Sequence, residues 1–113
     1  MSNIEDVFAL HGAVEELHID EEFATHMAEE LRRHDKHSVA PKEIRQVHAR
    51  TPRYFENKGE GRTAPIIMVG PTDSGRMIAV PIEPTHTIGV WRPVTAFEAN
   101  AHHRDRYYEE KAQ

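Results

Sequence analysis

The residues best suited to chemistry crowd one stretch near the end of the chain, GVWRPVTAFEANAHHRDRYYEE, residues 89–110. Arg92 interrupts an apolar run. His102, His103, Arg104, Tyr107 and Tyr108 follow on a segment with helical spacing. Arginine forks hold phosphate oxygens in pairs. Histidine exchanges protons near neutral pH. Together these types suit work on a phosphate. Arg104 and Tyr108 are four positions apart and share one helix face. The tyrosines also have a structural use, because that helix carries almost no other apolar residue to dock it.

Arg92 alternates onto the face of Val90 and Val94. An arginine there needs a partner or a ligand. The partner would be a carboxylate such as Glu83 or Glu98, in a buried salt bridge. His86, in PTHTI, has the chemistry of a general acid, although nothing nearby fixes its position. His48, Arg50 and Arg53 surround the end of a helix, where they either line a groove or complement its C-terminus; the second is favoured. His34 and His37 have i, i+3 spacing. No zinc signature accompanies them, and scattered surface histidines explain the nine in the chain better. No metal site and no cofactor is expected.

These groups need elements to hold them. A short strand is expected over Val14–Ile19. Asp20 caps a helix, with Glu21 and Glu22 in its first turn. Phe23, Met27 and Leu31 repeat at helical spacing. SVAPKEIRQVHAR starts a second helix, with Pro41 at its first position, Glu43 at the third, and Val39 and Ile44 as a hydrophobic staple. Strands follow at RYFEN, PIIMVG, MIAVPIE and GVWRPVTAF, and Asn100 caps a final helix to about Lys111. PIIMVG reads as a strand covered on both faces. Pro93 marks an edge or a bulge. The expected class is α+β: an antiparallel sheet of four to five strands, two helices before it on one face, and a short C-terminal helix. Residues 1–12 read as an extension.

The 113 residues fit one domain, 1–113. With 38% hydrophobic and 29% charged residues, the apolar material suffices for one modest core. There is no cysteine, which excludes disulfides and thiolate metal sites. No basic leader and no membrane-length apolar run is seen, so a cytoplasmic protein without membrane contact is expected. The net charge is −5, unevenly spread. Residues 1–40 carry ten acids and three bases, whereas residues 41–113 carry nine acids and eleven bases. On its own this is an ordinary acidic front end; it leaves room for a polyanion partner.

The order of KHSVAPKEIRQV, PRYFENKGEGR, SGRMIAVPIEP and WRPVTAFEANAHHRDRYYE resembles the BrnT-like branch of the RelE superfamily, toxins of type II toxin–antitoxin modules. The resemblance spans roughly residues 14–110. Ser38 stands where the family has glycine, and the last helix is less basic. The resemblance implies a RelE-like domain that cleaves messenger RNA without a metal, by attack of a ribose 2′-hydroxyl on the neighbouring phosphorus. Arg76 and Arg92 match the two motif arginines and are the implied pair that stabilises the phosphate. Tyr108 and His86 complete the expected catalytic set, His86 on its own chemistry alone. Arg53, Arg62, Arg104 and Tyr107 are the implied RNA contacts. A cognate antitoxin is the implied partner, in a homodimer or a toxin–antitoxin hetero-oligomer. The alternative is the same fold without nuclease activity, acting as a protein-binding or regulatory module.

Overall fold

Local chemistry starts most of the elements. In this computed structural model, which describes residues 4–33, 39–57 and 64–112, ten elements follow one another. They are α1 (Ile4–His11), β1 (Glu16–Leu17), α2 (Glu21–Arg33), α3 (Pro41–Ala49), β2 (Arg53–Glu56), β3 (Ile66–Pro71), β4 (Met77–Pro84), β5 (Val90–Pro93), β6 (Phe97–Glu98) and α4 (Ala101–Ala112). Asp20 Oδ1 accepts the Phe23 N–H at 2.8 Å and starts α2. Pro41 opens α3, and Glu43 Oε1 reaches back to the Ala40 N–H at 2.9 Å. Val39 and Ile44 are both fully buried beside that start.

The sheet runs β1-β5-β4-β3-β2, and β6 also pairs with β4. Strand alternation divides its side chains between two cores. Ile66, Met68, Ile78, Val80 and Ile82 face α1, α2 and α3, together with Trp91, Met27, Ile44 and Val47. Ile67, Val69, Met77 and Ala79 face the other way and pack with Phe55, Ala99 and Tyr107 of α4. The fold is α+β, with four helices and a mixed sheet among the described residues.

Three expectations are corrected. The sheet has six strands among the described residues and is not wholly antiparallel, because β1 pairs with β5 in parallel at Glu16↔Val90 and Leu17↔Trp91. Three helices, not two, lie on the first face, because α1 joins α2 and α3 there, and α4 covers the second. The strand expected over GVWRPVTAF is two strands on one edge of β4. Ile82 faces Pro93 and Ala79 faces Phe97, so three steps on β4 meet four on the other side. One residue bulges out after Pro93, whose ring has no N–H for the ladder.

Residues 4–12 are no loose extension either. The Phe8 ring meets Tyr54 at 5.6 Å and Trp91 at 5.7 Å, both edge to face. Burial pushes the Tyr54 phenol up to about 12. The Trp91 indole N–H donates to the Gly12 carbonyl at 3.1 Å. Gly12 has φ +83°, and a Cβ there would lie 2.8 Å from Ile88 Cγ2 and 2.9 Å from the Gly89 nitrogen. Only glycine permits that approach.

Candidate functional site: the clefts beside the last helix

α4 is placed by two side chains. Asn100 Oδ1 accepts the His103 N–H at 2.8 Å and caps the helix. Tyr107, 1% exposed, anchors it to the sheet. Its hydroxyl donates to the Thr51 carbonyl at 2.9 Å and lies 3.2 Å from Thr51 Oγ1. At about 100° per residue, His102, His103 and Arg106 lie on one flank of the helix and Arg104, Asp105 and Tyr108 on the other. Each flank borders a cleft.

The first cleft, about 430 Å³, brings Arg76 from the β3–β4 turn together with Arg104, Asp105 and Tyr108 of α4 and Glu98 of β6. Arg76 Nη1 donates to both carboxylate oxygens of Glu43 at 3.3 Å. Its Nη2 stands 3.8 Å from Glu98 Oε2 and, though buried, makes no hydrogen bond. Two carboxylates thus fix this guanidinium. Tyr108 is 59% exposed, with its ring open to solvent.

The second cleft, about 580 Å³, lies on the other flank and takes in Glu56, Asn57, Phe97, Asn100, His102, His103 and Arg106. Burial first, then the charges of His102 and Arg106, holds the His103 imidazole below its ordinary range. It is therefore neutral at pH 7. Its Nδ1 is buried without a hydrogen-bond partner. The Arg106 guanidinium lies 4.8 Å from the Phe55 ring centre.

A third cleft, about 510 Å³, holds Arg92 with His18, Asp20, His26 and Glu83. Glu83 and Arg92 are register partners, and Arg92 Nε and Nη2 both contact Glu83 Oε1. The pair is not the buried one expected, since the Arg92 side chain is 53% exposed. Arg92→Ala is accordingly expected to change stability by less than about 1 kcal/mol in urea denaturation.

The expected residues thus separate. Arg76, Arg104 and Tyr108 share one cleft. Arg92 does not join Arg76: seven steps of β4 at about 3.3 Å each put its partner Glu83 roughly 23 Å away along the strand. His86 is exposed on the β4–β5 loop and lines none of these clefts. Tyr107 is buried, so its ring offers no face for stacking on a base. The Arg53 guanidinium lies 6.0 Å from that ring centre, and its Nε is buried without a partner. His48 Nε2 bonds the Val14 carbonyl at 2.9 Å, and Arg50 pairs with Asp73 at 2.8 Å, both structural uses. Arg62, His34 and His37 lie outside the described residues. Arg106 and Asn57 were not foreseen. The helical spacing of Arg106 from His102 and His103 was a readable signal; the approach of Asn57 was not, because β2 is distant in sequence.

Among the described residues, no group of three His, Asp or Glu side chains is placed to hold a metal ion. No helix among them is long and apolar enough to cross a membrane. The chain matches no family model, no curated protein and no solved structure.

Proposed function

We propose that this protein is the toxin of a type II toxin–antitoxin module, a RelE-like endoribonuclease that cleaves messenger RNA in the cytoplasm without a metal. The observation that carries the reading is the meeting of Arg76, Arg104 and Tyr108 in one cleft. They come from a turn and a helix 28 positions apart in sequence. In this reading Arg76 and Arg104 hold the non-bridging oxygens of the scissile phosphate while the 2′ oxygen, its proton passing to solvent, bonds to phosphorus and the P–O5′ bond breaks; the 5′ oxygen leaves with a proton from solvent and a 2′,3′-cyclic phosphate remains. Glu43 and Glu98 keep Arg76 in place, so little reorganisation accompanies the reaction. The exposed Tyr108 ring stacks on a neighbouring base. The antitoxin covers the α4 face and blocks the same cleft in a hetero-oligomer.

A second reading has its own support. Arg76 and Arg92 are each already matched by carboxylates, Glu43 and Glu98 for one and Glu83 for the other. That balance favours a protein-binding module of the same fold without nuclease activity.

The test is cleavage of a defined messenger RNA by the purified protein in chelator, with and without ribosomes. Wild-type protein is expected to cut, and Arg104→Ala to cut roughly 10- to 100-fold more slowly, the loss of one charge-assisted contact. Arg92→Ala is expected to cut near the wild-type rate. Binding is expected to weaken steeply with salt. Absence of cutting under both conditions would transfer the assignment to the binding module.

A further inference from the structure

We infer that the cleft on the His102–His103–Arg106 flank of α4 is a subsite for one nucleotide unit of RNA, separate from the Arg76–Arg104–Tyr108 cleft. The inference deepens the nuclease reading and rests on it for the polymer, while the subsite is testable by itself. At about 580 Å³, the cleft has the size of a small-molecule site. Its chemistry is divided. The Arg106 guanidinium stands at the α4 end beside His102 and His103 and favours an anionic phosphate there. Ile67 and Pro81, register partners on β3 and β4, give an apolar floor, and Phe97 gives an aromatic wall.

Polar groups that distinguish a base from a bare anion lie at the β2 end. Asn57 donates its amide N–H to the Ala64 carbonyl at 2.7 Å, and its Oδ1 remains an acceptor. At the α4 end, Asn100 gives its Oδ1 to the helix cap, and its amide N–H groups remain donors beside the phosphate position. The His103 Nδ1, buried and without a partner, is the group a ligand would satisfy. Its ring is further set by Phe97, 6.2 Å away between ring centres. Five elements, β2, β3, β4, β6 and α4, and the β5–β6 link converge here.

The experiment titrates the full-length protein with each of the four nucleoside 3′-monophosphates and, separately, with inorganic phosphate. Calorimetry gives affinity, and the histidine imidazole resonances report location. At least one nucleotide is expected to bind tighter than phosphate and to shift His102 and His103. His103→Ala and Arg106→Gln are each expected to weaken it roughly tenfold. His103→Gln, closer in size, serves if the alanine variant loses its circular dichroism spectrum. Arg45→Ala removes an exposed charge on α3 and is expected to leave the affinity unchanged. Equal binding of phosphate, an equal loss in Arg45→Ala, or no loss in the cleft variants would each overturn the subsite. Messenger RNA cleavage without nucleotide binding would overturn it and leave the nuclease reading standing. Nucleotide binding here without cleavage would keep the subsite and remove the nuclease.

Discussion

Trp91→Ala is expected to destabilise the protein by about 3–5 kcal/mol, followed by circular dichroism in urea. Trp91 is fully buried at the centre of the larger core. Its ring meets Phe8 at 5.7 Å and His11 at 6.1 Å, and its indole N–H satisfies the Gly12 carbonyl. Truncation therefore opens a cavity and orphans an acceptor together. Total stabilities of small domains are only about 5–15 kcal/mol, so the change is a large share. Trp91→Phe keeps an aromatic ring but loses the donor, and a loss of about 1–3 kcal/mol is expected. A change below about 1 kcal/mol in the alanine variant would show that α1 contributes nothing to the core.

Tyr107→Ala is the second large effect, again about 3–5 kcal/mol. Tyr107 is the α4 side chain in the second core. It is buried in one cluster with Phe55, Ile67, Val69, Met77, Ala79 and Ala99, and its hydroxyl reaches Thr51. Without it α4 has little to hold it against the sheet. Hydrogen exchange is expected to show the α4 amides losing protection before those of β3 and β4. Tyr107→Phe removes the hydroxyl alone and is expected to lower stability by about 1 kcal/mol. Both flanking clefts share this helix, so nucleotide binding and RNA cleavage are expected to fail together in the alanine variant. Persistence of either in a folded Tyr107→Ala protein would separate that cleft from the position of α4.

The features readable from sequence were those with local causes. Asp20 caps α2, Glu43 reaches back to Ala40, and Asn100 caps α4 through bonds spanning three residues. PIIMVG and MIAVPIE read as strands because their apolar runs are continuous, and β3 and β4 are covered on both faces. The role of residues 4–12 was hidden, since the partner of Phe8 is Trp91, far along the chain. The parallel β1–β5 pairing was hidden for the same reason. Within the clefts, Arg104 and Tyr108 were legible from helical spacing. Arg76 and Arg92 carry equal motif weight, yet only the register of β4 shows that they serve opposite ends of one strand. Glu98 and Glu83 were both visible as carboxylate partners; Glu83 pairs with Arg92, whereas Glu98 stands beside Arg76.

The pairing of Glu16–Leu17 with Val90–Trp91 bears on how the chain is made. During synthesis the first strand emerges early and stays unmatched until residues beyond 90 leave the ribosome. The middle strands, joined by short turns, form their ladder sooner, because closing small loops is faster. The N-terminal segment is then expected to dock after that ladder, against the only tryptophan in the protein. Emission from that indole in a refolding experiment will therefore time the arrival of α1 and β1, while far-ultraviolet ellipticity follows the earlier sheet. Two distinct rates from the two signals would mark the final closure of the N-terminal segment as a step of its own.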